Sequence, residues 1–221
     1  MNNNTAALIG ATGLIGSYLL KLLQDDGHFV EIRVLVRRPV QINHPKVKVI
    51  ILDFEEEKAF REGIAGCDAV FVAIGTTQKK VKGDKTAYRK VDYDIPVNAA
   101  KYSSIAGCTR FLLVSSVGAD SKSGNFYLKL KGEVEDKVKS FSIPSIFIFR
   151  PSMLLGKRKE SRPMESIAQV MSKGLSFLFP GKFKPIAAED VARAMIASSK
   201  LDKPGFRIYH FMEMKALSDQ P

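Results

Sequence analysis

The chain has 221 residues and a formal charge of +11, from 34 basic and 23 acidic side chains. Hydrophobic residues make up 45 % and charged residues 26 %. That composition excludes intrinsic disorder and fits one well-buried domain better than two. No apolar run approaches the ~20 residues that cross a bilayer.

Two cysteines, Cys67 and Cys108, lie in unrelated segments without CxxC spacing, which points to a reduced, cytoplasmic protein. His28, His44 and His210 are scattered, so no metal site is expected. The positive excess suits an anionic ligand, a nucleic acid or an acidic membrane surface. The lysines, however, are spread along the chain without the aromatic interleaving of a single-strand binder. Nucleic acid and membrane are therefore not the expected partners, and most of these cations read as solvated surface.

Met1 to Thr5 is polar and uncharged, and the short apolar stretch after it runs straight into glycines. That pattern reads as a first strand, not a signal peptide. Further strands are expected near Glu31–Val36, Val47–Leu52, Ala69–Ile74, Arg110–Ser115 and Ser145–Phe149, after a first near Ala6–Ile9. These runs are rich in Val, Ile, Leu and Phe without clean alternation, as in parallel strands covered on both faces. Between them the pattern predicts helices over Leu14–Gln24, Glu55–Glu62, Asp84–Ile105 and Tyr127–Ser140. Such a β-α series gives an α/β fold, a doubly wound parallel sheet of Rossmann type.

Beyond Pro151 the rhythm breaks. A basic, Pro-containing loop (Gly156–Pro163) precedes predicted helices at Met164–Leu175 and Glu189–Ser199 and a strand-like run at Phe206–Phe211. The tail is too short for a domain of its own, so residues 1–221 are expected to form one domain, with 156–221 supplying much of a small C-terminal cap.

The glycines Gly10, Gly13 and Gly16 sit between the first strand and the first helix. The first permits a tight turn, the second lets the backbone approach a pyrophosphate, and the third lets helix and strand pack closely. The helix N-terminus then offers free N–H groups to phosphates. An NAD-specific protein usually carries Asp or Glu at the end of the second strand, to grip the ribose 2′-hydroxyl. Here that place holds Arg37 and Arg38, whose guanidinium groups suit a 2′-phosphate, so NADP(H) is the expected cofactor. Asp53 and Phe54 end the third strand, where a carboxylate and an N–H can read adenine; the competing role for Asp53 is a helix N-cap. Ile74, Gly75 and Thr76 end the fourth, where small residues leave room for ribose and pyrophosphate.

Tyr127 and Lys131 are four apart at the start of a predicted helix and so share one face. Ser115 and Ser116 end the fifth strand. A phenol beside an ammonium can give up a proton to a reduced carbonyl while a serine hydroxyl donates to the developing oxyanion. Ser116 is the first choice, at the very end of the strand; Ser115 stays open because consecutive strand residues face opposite sides.

These segments together resemble the short-chain dehydrogenase/reductase superfamily, in its atypical branch near the Tat-interacting-protein-like oxidoreductases. The resemblance spans nearly the whole chain and rests on Gly10–Gly16, Val36–Arg38, Asp53-Phe54, Gly75–Thr77, Ser115–Asp120, Lys131–Glu135, Arg150-Pro151 and Glu160–Pro163. It implies that Thr12, Gly13, Leu14, Ile15, Arg37, Arg38, Tyr127 and Lys131 bind cofactor. It also implies that Leu154 lines the nicotinamide side and that Arg162 reaches back toward the phosphates; otherwise Arg162 is one more solvated cation. One departure stands out. Where many such reductases place an Asn to hold a relay water, this chain has Asp92.

The expected activity is reduction of a small-molecule carbonyl substrate or a nucleotide sugar by NADPH, in a monomer or homodimer. The alternative suggested by the resemblance is a redox-sensing regulator that binds NADPH and a protein partner with little turnover. The short cap argues against a large substrate.

Overall fold

A computed structural model describes residues 4–77, 81–156 and 181–220. Strands β1 (Asn4–Ile9), β2 (Phe29–Val36), β3 (Val47–Ile51), β4 (Ala69–Val72), β5 (Arg110–Val114) and β6 (Ser145–Phe149) alternate with helices except between β2 and β3, which are joined without one. The helices are α1 (Leu14–Asp25), α2 (Glu57–Ile64), α3 (Lys85–Arg89), α4 (Ile95–Ile105) and α5 (Phe126–Lys139). All pairings in the main sheet are parallel, and its order is β3-β2-β1-β4-β5-β6-β9, where β9 is Gly205–Tyr209. The chain leaves β1 toward one edge and resumes at β4 toward the other. That reversal opens a crevice at the carboxyl ends of β1 and β4, the place where doubly wound sheets bind ligands.

Burial explains the strand composition. Ala6, Leu8, Phe71, Leu112 and Phe147 face a core closed by α1 and by α6 (Ala188–Ser199). Ala7, Ile9, Val70, Val72, Phe111, Leu113 and Ile148 face a second core closed by α2, α4 and α5. Both faces of the central strands are thus dry, which removes the alternation a half-exposed strand would show.

The C-terminal elements form the expected small cap and add to the sheet as well. β7 (Leu154–Leu155) pairs with β8 (Ile186–Ala187), and α7 (Phe211–Ser218) follows β9. β9 lies against β6 and ends at Tyr209, two residues short of the expected run, because α7 begins at once. The expected loop at 156–163 falls outside the described residues after Gly156, and the helix expected at 164–175 falls wholly outside them.

The largest departure from the sequence pattern is in the helix expected at Asp84–Ile105. It is α3, then a π-helical turn at Lys90–Asp94, then α4. Asp84 starts it by accepting from the N–H groups of Thr86 and Ala87 at 2.7 and 3.1 Å. A π-turn holds one extra residue per turn, which rotates the side chains after it and often occurs at functional sites. Here it turns Asp92 inward until it is 1 % exposed.

Candidate functional site

The crevice is floored by backbone. Gly10 has φ of +95°, and a Cβ there would lie 2.6 Å from the Ala73 carbonyl oxygen at the end of β4. A Cβ on Gly16 would lie 2.0 Å from the Gly10 carbonyl oxygen, so only glycine lets α1 approach β1 this closely. Gly13 differs: it is exposed, and its added Cβ would be 3.2 Å from the Gly10 oxygen and 3.5 Å from that of Ala73. Gly13 is also the N-cap of α1 and has no side chain to satisfy the first N–H groups of the helix. Thr12 is exposed beside it, Leu14 is half-buried and Ile15 is in the core. A cradle that side chains would fill, at an uncapped helix N-terminus, fits a pyrophosphate.

The adenine side is open. Arg37 and Arg38 follow β2, both exposed and without an ion pair among the described residues. The Asp53 carboxylate is exposed and accepts from the Glu55 N–H at 3.0 Å, while Glu56 is the residue that caps α2. Asp53 therefore makes a turn ahead of the helix and keeps an oxygen facing outward. The Phe54 ring is buried against Phe60, 4.9 Å between centroids, which leaves only its backbone available to a ligand.

The other half of the crevice is built from buried charge. Lys131 on α5 ion-pairs with Asp92 at 3.0 Å, with side chains only 7 % and 2 % exposed. Burial works against the ammonium, yet Asp92, Tyr127 and Glu135 together hold its pKa above the ordinary lysine value. The second Asp92 oxygen accepts from the Thr76 N–H at 2.7 Å. The expected residues Ile74, Gly75 and Thr76 are thus joined to Lys131 through a carboxylate. Asn125 caps α5 by accepting from the N–H groups of Tyr127 and Leu128, and the Tyr127 ring lies 5.8 Å from the Lys131 ammonium. Tyr127 is 36 % exposed, open at the mouth of the site.

The two serines part company. Ser115 is buried and donates to Glu135, which also accepts from Arg150 in a bidentate pair, the shortest contact being 2.5 Å. Ser116 is half-buried and donates only to the neighbouring Val117 carbonyl oxygen, at 3.3 Å. Of the two, Ser116 has the freer hydroxyl. Glu135 and Arg150 were within reach of the sequence, since an acid four residues after Lys131 and an arginine ending an apolar strand are both out of place in a core. Leu154 is half-buried on β7, and Gly156 nearby packs against Leu14 of α1. Arg162 lies outside the described residues.

Residues 10–200 match the family described as NAD(P)H-binding. The chain belongs to that family. Among its relatives, protein FMP52, mitochondrial, of Debaryomyces hansenii is 36 % identical over 197 residues, covering 87 % of this chain and 86 % of its own. Protein HTATIP2 of Rattus norvegicus is 32 % identical over 220 residues, covering 98 % and 89 %. The solved structure of MoeE5 in complex with UDP-glucuronic acid and NAD has a TM-score of 0.71 at 16 % identity, covering 93 % of this chain and 75 % of that one. The chain described here is thus an NAD(P)H-binding protein related to HTATIP2 and FMP52.

Two expectations are corrected. The solved structures of MoeE5 and of Bordetella bronchiseptica WbmH, which share this fold, hold NAD, so the expectation of NADP(H) is withdrawn. The physical reason lies in Arg37 and Arg38. A guanidinium can also donate to a neutral ribose hydroxyl and can stack on adenine in either case, so a missing acid does not exclude NAD. The cytoplasmic expectation is withdrawn as well, because the fungal FMP52 relatives are mitochondrial proteins. Cys67 and Cys108 are both buried, with burial pushing their pKa values up to about 12 and about 11. Thiols so protected do not report a compartment.

Proposed function

We propose that this NAD(P)-dependent oxidoreductase reduces the carbonyl of a small molecule or of a nucleotide sugar. The observation that carries the reading is the Lys131 ammonium, which lies beside the Tyr127 ring and is tied through Asp92 to the loop leaving β4, with Ser116 just past the end of β5. Gly10, Gly13, Gly16 and the N-terminus of α1 would hold the pyrophosphate, and Leu14, Ile15 and Thr12 its immediate surroundings. Arg37, Arg38, Asp53 and Phe54 would meet the adenosine, while Ile74, Gly75, Thr76 and Leu154 would line the path to the nicotinamide; Arg162 is assigned to the phosphates. The bound dinucleotide supplies the hydride.

The remaining work falls to the chain. Lys131 binds the ribose nearest the reacting ring and keeps positive potential beside Tyr127. The Tyr127 hydroxyl gives its proton to the carbonyl oxygen as negative charge builds there. The Ser116 hydroxyl donates to the same oxygen and orients the substrate. Ser115, held by Glu135, supports the strand end. The exposure of Tyr127 favours a substrate that enters from solvent at the mouth. Residues 1–221 act in this reading as one dinucleotide-binding unit, with 156–221 forming much of the cap.

The test is a panel of small aldehydes, ketones and nucleotide sugars assayed by oxidation of NADH and, separately, NADPH. Turnover of at least one substrate that saturates with concentration is expected. Tight dinucleotide binding without turnover across the panel would contradict the reading and favour a regulator that works through a protein partner.

A further inference from the structure

The Asp92–Lys131 pair is not explained by stability alone. Each charge is almost completely buried. Taking two ions out of water costs about as much as their attraction returns, so an apolar pair would serve a purely structural purpose as well. Asp92 also does more than neutralise Lys131. One oxygen meets the ammonium at 3.0 Å and the other accepts from the Thr76 N–H at 2.7 Å. A Cβ on Gly75 would come within 3.4 Å of the same carboxylate. The loop that leaves β4 and the helix that carries Tyr127 are thereby fastened to each other at one group.

The carboxylate reaches this place because of the π-helical turn Lys90–Asp94. The turn is itself braced from outside. Arg89 pairs with Glu133 of α5 at 2.7 Å and lies over the Tyr93 ring at 4.0 Å. Tyr88 donates to the Thr76 carbonyl oxygen at 3.4 Å, in the peptide that follows the one bound by Asp92. Both ends of the Asp92 bridge are therefore held in place before any ligand arrives, which is the condition for preorganised binding.

We propose that Asp92 is a positioning residue that fixes the Lys131 ammonium and the Gly75–Thr76 loop as one rigid unit for the ribose and the nicotinamide side of the dinucleotide. The inference rests on the assignment of Lys131 to the dinucleotide in the proposed function. A relay water held by an amide is replaced in this chain by a direct charge contact. Loss of Asp92 should therefore appear first in dinucleotide binding, and it should act through Lys131.

The test is a double-mutant cycle on binding, which needs no substrate. NADH and NADPH are titrated by fluorescence into the wild type, Asp92→Asn, Lys131→Met and the double variant, with melting followed in parallel. Asp92→Asn and Lys131→Met should each weaken the tighter-binding dinucleotide by about tenfold or more. The double variant should bind no worse than Lys131→Met alone, because the Asn oxygen still accepts from the Thr76 N–H and no ammonium is left to position. A role confined to the fold would lower melting and leave affinity at the wild-type value. Asp92→Asn leaves a buried ammonium unpaired; if it does not fold, the comparison of Lys131→Met with the double variant decides, since that pair carries no unpaired ammonium. Multiplying losses in the double variant, or unchanged affinity in Asp92→Asn, would overturn the proposal. Unchanged affinity in Lys131→Met would overturn it too, and would remove the lysine's role in the proposed function. Failure of the substrate panel alone leaves this result standing.

Discussion

The two halves of the crevice are made of different materials. On the β1 side the site is backbone: three glycines, a tight turn and the bare end of α1. On the β4–β6 side it is buried charge, with Lys131 against Asp92 and Arg150 against Glu135 and Ser115. A backbone site is specified by spacing along the chain, so every residue in it is fixed by its neighbours. A site of buried charges is specified across elements, and each member is costly without its partner. The first half should fail through sterics, the second through lost partners.

The largest effect expected is at Gly16. Gly16→Val places a branched side chain where a single Cβ already comes within 2.0 Å of the Gly10 carbonyl oxygen, with backbone on every side. No cooperatively melting protein should be recovered. Gly13→Val sharpens the comparison, because Gly13 is exposed and its added Cβ would lie 3.2 and 3.5 Å from the Gly10 and Ala73 carbonyl oxygens, not 2.0 Å. That variant should melt within a few degrees of the wild type yet bind dinucleotide at least ~100-fold more weakly, about 2.7 kcal/mol. A folded Gly13→Val protein with wild-type affinity would remove the cradle from the dinucleotide site.

Breaking the charged half comes next. Glu135→Gln leaves the half-buried Arg150 guanidinium beside a neutral amide and should cost about 1–3 kcal/mol in urea unfolding. Glu135→Gln combined with Arg150→Met should recover much of that loss, since no lone charge remains. Equal losses in the single and double variants would show that the carboxylate matters for its contacts rather than its charge.

The smallest effect is on pH. Burial, which disfavours the imidazolium, leads the causes that hold the pKa values of His28 and His210 below the ordinary 6.5. The unfolded chain then takes up these protons before the folded one does, so stability should fall as pH drops from 7 toward 5. The expected fall in melting temperature is about 1–3 °C, smaller in His210→Gln. A melting temperature that rises over the same interval would contradict the sign.

The same contrast governs what was legible in the sequence. The glycine turn, the strands along the chain and the places of Ser115, Ser116, Tyr127 and Lys131 near element ends could be read because each depends on local spacing. Asp92 could be noticed as a departure, but a continuous helix over 84–105 does not place it under the Thr76 peptide; the π-turn does. Glu135 and Arg150 had no visible role until the strand end and the helix were brought together. Arg37 and Arg38 were read correctly as the residues after β2, yet the discrimination drawn from them asked more of a guanidinium than its chemistry provides. Ser115 and Ser116 show the same limit, since register alone did not say that Glu135 would engage the first hydroxyl.

Tyr127 stands as the proton donor at the mouth of this crevice only if its hydroxyl is needed for turnover. The wild type and Tyr127→Phe are compared on the best panel substrate, with dinucleotide affinity measured on the same samples. A loss of about 10²- to 10⁴-fold in kcat with dinucleotide Kd little changed is expected. Equal kcat in the two proteins would contradict it.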